Sequence, residues 1–389
     1  MTPRRQIART GSAVLLIGAL TLTLTSLSAP AASGGIDPEC GSWTIAPTTG
    51  TGTNDSVLYS VAAVSPSEAW AVGWWSSANV SHTLVERWDG ARWMTVPSVD
   101  PPDASSSLNA VAAVSSGDVW AVGFAYERST IRTLVEHLSG GVWHVVKSPD
   151  PGDYESVLTG VAAVSASDVW AVGFERDADQ PRRKLVEHWN GTRWKVVEIP
   201  SPTPEESELD GVAALARDDV WATGVHGSGV TLIEHWNGRV WGAVPGPDIG
   251  QSTLYDVASA GGADNVRAVG YLVKGQVSVP LAIRWDGSLW SVTDTQAPPP
   301  GFALLMALAV ATPDDVWAVG FWRGAGGQPR RTLGEHWDGV SWTIQPTANA
   351  GLDDGLTDVV HVPGTSIWWA VGYYVLKAGG SRFLIESNC

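Results

Sequence analysis

The 389 residues contain only two cysteines, three methionines and five phenylalanines. So few thiols exclude a disulfide-dense scaffold, and no zinc-type ligand spacing is present. Basic residues are also scarce. The 24 Lys and Arg face 40 Asp and Glu, for a formal net charge of −16. An acidic chain repels nucleic acid and anionic membrane surfaces, so neither is expected as a partner. Beyond residue 32 no apolar run approaches the ~20 residues of a membrane span. A Gly-rich phosphate loop and a nucleophile elbow are missing too, and no cofactor or metal is expected. No helical period follows the first 32 residues.

Those first residues read as an address. Arg4, Arg5 and Arg9 form a basic start, residues 12–26 a short apolar stretch, and Ala29-Pro30-Ala31 a small-residue cleavage region. This is the layout of a secretory signal peptide over 1–32, so a secreted, extracellular protein is expected. Arg4-Arg5 has the pair of a twin-arginine export signal, but the residues after it match that signal poorly, so the sequence leaves the route, general or twin-arginine, open. The remaining 33–389 carry 21 basic and 40 acidic residues, a net charge of −19. Export favours a disulfide between Cys40 and Cys389.

What the chain has in abundance is tryptophan, 22 in all, and glycine, 43. Both belong to a repeat. The element W-A-V-G or a close variant recurs at Trp70, Trp120, Trp170, Trp221, Trp317 and Trp369, and a degenerate copy carries Arg267 in the tryptophan position. The steps are 50, 50, 51, 46, 50 and 52 residues. A period near 50 indicates a propeller or other repeat array rather than two ordinary domains. Each repeat reads as four short strands: V-A-A-V, D-V-W-A-V-G, T-L-V-E-H-W and W-x-V-V. Asn-Gly or Asp-Gly turns and proline-rich stretches punctuate them.

The fold expected is therefore all-β: a single seven-bladed β-propeller over 33–389, built of four-stranded antiparallel blades. Blades are expected to start near 58, 108, 158, 209, 254, 305 and 356. The seventh repeat stops at Cys389 before its fourth strand. Residues 40–46 hold a matching segment, and joining Cys389 to Cys40 reproduces the usual Glu-to-Trp spacing. The N-terminal strand is thus expected to supply the outer strand of blade seven, removing exposed strand edges.

The second strands and the turn Asp89-Gly90-Ala91-Arg92-Trp93 carry a family resemblance. The turn has counterparts at Asn190-Gly191, Asn237-Gly238, Asp286-Gly287 and Asp338-Gly339. The chain resembles Asp-box or BNR-type propellers, including sialidases and photosystem assembly-factor-like proteins, in a secreted bacterial setting. The resemblance implies the propeller fold. A sialidase arginine cluster and nucleophilic tyrosine do not map onto this chain, so no activity is carried over.

Residues that recur in every repeat are expected to pack the molecule. The pairs Glu136-His137, Glu187-His188, Glu234-His235 and Glu335-His336 are read as a repeated structural bond, with Asp118, Asp168, Asp219 and Asp315 as partners. Residues that break the repeat are the better site candidates. Trp75, Trp322 and Tyr374 follow the W-A-V-G element in blades one, six and seven. They are expected to form an aromatic arc on the face made by second-to-third-strand and blade-to-blade loops. Arg323, His361, Tyr255, Asp210, Asp256 and Asp358 are the polar exceptions nearby. The blade-to-blade loops are acidic and the second-to-third loops basic, giving that face a charged rim.

Flat aromatics beside acids and an arginine suit carbohydrate rings. The expected function is an extracellular binding module for carbohydrate or another cell-surface polymer, acting as a monomer. One alternative is a glycoside hydrolase or lyase using Asp210, Asp256 and Asp358 as carboxylates at the channel mouth. The other is a scaffold for a protein ligand.

Overall fold

The computed structural model describes residues 42–49, 54–201, 205–227, 229–259, 261–299 and 301–388. The expected signal peptide, Cys40, Cys389 and their disulfide lie outside the described residues. All regular structure among the described residues is β-strand.

The strands form repeated four-stranded antiparallel sheets in β-propeller style, each strand pairing with the next in sequence. The first strands of the repeats are Ser56–Ser65, Ser105–Ser115, Glu155–Ser165, Ser207–Ala216, Ser252–Ser259, Gly301–Thr312 and Asp353–His361. They begin two to four residues before the positions expected from sequence. Single parallel pairings, Glu155 with Ile131 and Ser278 with Phe302, tie the second repeat to the third and the fifth to the sixth.

The strand Thr44–Ile45 pairs with the last strand, Ser381–Asn388, placing Thr44 opposite Ser387 and Ile45 opposite Glu386. The Ala46 N–H donates to the Ile385 carbonyl at 2.8 Å. The sheet that holds Asp353–His361 thereby has four strands, with Thr44–Ile45 at its edge.

Tryptophan sets the spacing between neighbouring sheets. The second-strand Trp of one repeat meets the fourth-strand Trp of the next edge to face, as in Trp70–Trp143 (5.7 Å), Trp120–Trp194 (5.5 Å) and Trp170–Trp241 (5.6 Å). Trp317 makes this contact with Trp43 at 5.1 Å, and Trp369 makes it with Trp93 at 5.4 Å. T-shaped pairs of this kind combine large apolar burial with a favourable quadrupole arrangement. The tryptophans at these positions are therefore packing residues.

The Glu-His pairs divide between two faces of the third strand, as the period of two requires. The histidines donate or accept at the acids expected: His137–Asp118 (2.7 Å), His188–Asp168 (2.8 Å), His235–Asp219 (2.9 Å) and His336–Asp315 (2.8 Å). Each imidazole also lies against the second-strand Trp of its own sheet. The glutamates face the other way. Glu86, Glu136, Glu187, Glu335 and Glu386 are fully buried.

Candidate functional site

Every first strand carries a β-bulge at one position. Pairing with the second strand skips from Leu58 to Ser60, Leu108 to Ala110, Leu158 to Gly160 and Leu209 to Gly211. It skips likewise from Leu254 to Asp256, Leu305 to Ala307 and Leu356 to Asp358. The residue left unpaired is Tyr59, Asn109, Thr159, Asp210, Tyr255, Met306 or Thr357. A bulge re-aims the side chain it carries. All seven of these residues line one cavity of about 470 Å³.

The W-A-V-G glycine is the other half of this geometry. Gly73 faces Leu58 and Gly123 faces Leu108 beside the bulge, and a Cβ there would run into the carbonyl oxygen of Val57 or Ser107. Glycine marks a close backbone approach, not a phosphate cradle.

Bulge side chains also link neighbouring repeats. Asn109 Nδ2–H donates to the Leu158 carbonyl (2.8 Å), and the Thr159 hydroxyl to that of Leu209 (2.7 Å). The Thr357 hydroxyl donates to the Leu58 carbonyl (2.8 Å). Tyr59 accepts from Trp74 Nε1–H at 3.1 Å. Asp210 is different. Its Oδ2 is buried without a partner among the described residues. Burial pushes its carboxyl up to about 8, Glu208 adds to the rise and Arg182 opposes it. Burial thus favours the neutral form of this carboxyl, whose residue lies in the cavity wall.

The position after the bulge caps backbone amides. Asp358 Oδ2 accepts from Val61 N–H (2.8 Å), and its Oδ1 from Val359 N–H (2.7 Å). Asp256 accepts from Leu308 N–H (2.9 Å) and Val257 N–H (2.8 Å). Ser60 accepts from Val111 N–H at 3.2 Å. Burial holds Asp256 up at about 8, helped by the charge of Asp358, and lifts Asp358 to about 6. One oxygen of each acid ties its strand to the first strand of a neighbouring repeat and the other caps the next amide of its own strand, which suits a structural brace better than a free catalytic carboxylate. Ala110 and Gly160 occupy this position in the second and third repeats. No side chain among the described residues therefore caps the amides of Val161 and Val212, which also line the cavity.

Four aromatics complete the wall: Tyr59, Tyr255, Phe321 and Tyr373. Burial raises the Tyr255 and Tyr373 hydroxyls above the ordinary phenol range. The Arg330 guanidinium lies 5.2 Å from the Phe321 ring and 5.4 Å from the Tyr373 ring, and its Nε–H donates to Asp353 at 2.6 Å. Nearby rim charges pair as well, Arg182 with Glu208 at 2.8 Å and with Glu155 at 3.4 Å.

The structure brings Asp210, Tyr255, Asp256 and Asp358 to this cavity. It does not bring Trp75, Trp322 and Tyr374 there. Trp75 stacks on His82 at 4.8 Å and packs with the buried cluster holding Trp93 and Trp369. Trp322, partly buried, packs against the cluster that includes Leu305 and Leu333, and Tyr374, partly buried, against the cluster that includes Trp317 and Leu356. These are three separate packing clusters. The cause is strand alternation: the residue one step earlier, Phe321 or Tyr373, takes the cavity side. His361 lies at the far end of its strand. Its Nε2 is 2.8 Å from the Thr365 carbonyl, and its ring is 4.7 Å from Trp368. Arg323 is exposed opposite Phe302, outside the cavity lining.

No protein-family model matches the chain, and no curated protein does. Two solved structures share the fold. A YCF48 from Cyanidioschyzon merolae superposes with a TM-score of 0.55 at 14% identity, covering 89% of this chain and 98% of its own. A YCF48 bound to a D1 peptide gives 0.53 at 12% identity, covering 91% and 97%. At these identities the likeness is one of β-propeller architecture.

Proposed function

We propose that the chain is an extracellular binding module in which seven blades close into a ring and hold a carbohydrate segment in the central cavity. One observation carries this reading. The bulge position, where the repeats differ in chemistry, turns all seven of its side chains into one cavity. Its volume of about 470 Å³ lies within the ~300–1,000 Å³ of small-molecule sites. Support for ring closure comes from Thr44–Ile45 on the last strand, the Trp369–Trp93 contact, and the bonds from the seventh repeat to Leu58 and Val61.

Tyrosine rings supply flat apolar surface. Asn109, Thr159, Asp210 and the amides of Val161 and Val212 supply the hydrogen-bonding groups that sugar hydroxyls require. A glycan array or a pull-down on cell-wall polysaccharides tests the reading. Removing the rings in a Tyr59→Ala, Tyr373→Ala double variant is expected to weaken binding at least tenfold, about 1.4 kcal/mol. A Trp75→Ala variant, if folded, is expected to bind as wild type. Binding unchanged by the tyrosine variant would place the ligand elsewhere.

A second reading is a protein ligand: a peptide segment crossing the same mouth. The structural neighbour bound to a D1 peptide favours it, as does Arg330 over two cavity aromatics. Capture of a peptide but of no glycan, lost in the same tyrosine variant, would select this reading.

A further inference from the structure

Six repeats have tryptophan at the head of W-A-V-G; the fifth has Arg267. The replacement does not come alone. In the second, third, fourth and sixth repeats the second-strand Trp lies opposite a third-strand His, and the acid two residues before the Trp binds that His. In the fifth repeat the opposite residue is Arg284, and the acid is replaced by Asn265. An acid–Trp–His set has become Asn265–Arg267–Arg284. It gains two positive charges and loses its carboxylate.

The two arginines face each other across adjacent strands, where like charges destabilise a sheet. Arg267 is 2% exposed and Asn265 is 9% exposed. Arg267 Nη2–H donates to the Pro313 carbonyl at 3.1 Å, and its guanidinium lies 4.7 Å from the Trp337 ring. Its Nε and Nη1, the Nε of Arg284 and the Asn265 Oδ1 are buried without partners among the described residues. No carboxylate among those residues lies within 4.0 Å of either guanidinium. The Asp314 charge acts on Arg267 only through space. Burial and the neighbouring Arg284 lower Arg267 to about 10, so it stays charged at neutral pH.

A buried guanidinium facing a half-buried one, each with an unused buried N–H donor, calls for a counter-charge. We infer that the fifth repeat holds a small oxyanion, a phosphate, sulfate or carboxylate group, between Arg267 and Arg284. Guanidinium forks match such anions through paired N–H donors. This site is separate from the central cavity, whose lining includes none of the three residues.

The test is equilibrium dialysis of the full chain with inorganic phosphate, chloride being added to hold ionic strength constant. Thermal unfolding is followed under the same conditions. The expected result is saturable binding of one phosphate per chain and a melting temperature that climbs with the logarithm of phosphate concentration. The control variant restores the repeat: Asn265→Asp, Arg267→Trp and Arg284→His together. It should fold, since other repeats use this set, and should lose binding at least tenfold. Arg284→Gln alone should weaken binding in the same direction. Sulfate competing better than acetate would identify a tetrahedral oxyanion, and acetate competing equally well a carboxylate group. Either supports the site. Wild type and repeat-restored variant responding alike to phosphate would overturn it.

Discussion

Replacing Gly123 by alanine is expected to cost more than about 3 kcal/mol of stability or to prevent folding. The new methyl group has nowhere to go, because the Ser107 carbonyl oxygen and the Leu108 Cα occupy its place. Both are backbone atoms next to a bulge and braced by the first strand's pairing, so no rotamer change relieves the clash. Gly242→Ala is the control. A Cβ at Gly242 meets nothing within 4 Å, and that change should stay within about 0.5 kcal/mol. Denaturant unfolding of the two variants measures both values. Near-equal stabilities would mean that the bulge does not bring the strands as close as described.

Stability is expected to fall as pH rises from about 5 to 8, opposite to the trend of a protein braced by ionised carboxylates. Burial is the cause. It holds Glu136, Glu335 and Glu386 up at about 8 and Glu86 at about 7, and raises Glu187 well above the ordinary carboxylate range. An unfolded glutamate releases its proton near 4.5. Between that value and about 8 the folded chain holds protons that the unfolded chain has lost, so each pH increase favours unfolding. Below about 4.5 both states are protonated and these groups add no slope.

Glu187 isolates the effect, because neither of its oxygens has a partner among the described residues. Glu187→Gln should raise the melting temperature at pH 8, leave it nearly unchanged at pH 4.5, and flatten the curve between. Glu234→Gln should act oppositely at pH 8, since it leaves the buried Lys184 ammonium without its 2.5 Å partner. Thermal melts across the pH range check both. A wild-type melting temperature that rises towards pH 8 would contradict the account.

The repeat made most of the fold legible. Its period gave the β-propeller architecture, and the match of residues 40–46 to a fourth strand pointed to the stretch in which Thr44–Ile45 pairs with Ser381–Asn388. The site was legible only in part. Asp210, Tyr255, Asp256 and Asp358 drew attention as polar breaks in an apolar pattern, and all four line the cavity. Tyr59, Asn109, Thr159 and Thr357 passed unnoticed, because a plain alternating strand gives no reason to single them out. A signal was present in L-x-x-V. Leu58 and Val61 sit three apart yet pack in one cluster, as do Leu108 and Val111. A regular strand sends residues three apart to opposite faces, so the pattern requires a bulge between them. The aromatics Trp75, Trp322 and Tyr374 lie outside the cavity lining for the same reason in reverse. One step along the second strand exchanges Tyr374, packed against a hydrophobic cluster, for Tyr373 in the cavity wall.

The cavity depends on the seam between the last repeat and the first, which supplies Tyr59, Ser60, Leu356, Thr357, Asp358 and Tyr373 to its wall. Hydrogen exchange at the N-terminal strand tests that seam most directly. The account predicts that the Ala46 amide, bonded to Ile385, is protected together with the amides of residues 381–388 and 56–65, and that the three segments lose protection in one cooperative step. An Ala46 amide that exchanges at the rate of a free peptide while the other two segments stay protected would contradict it.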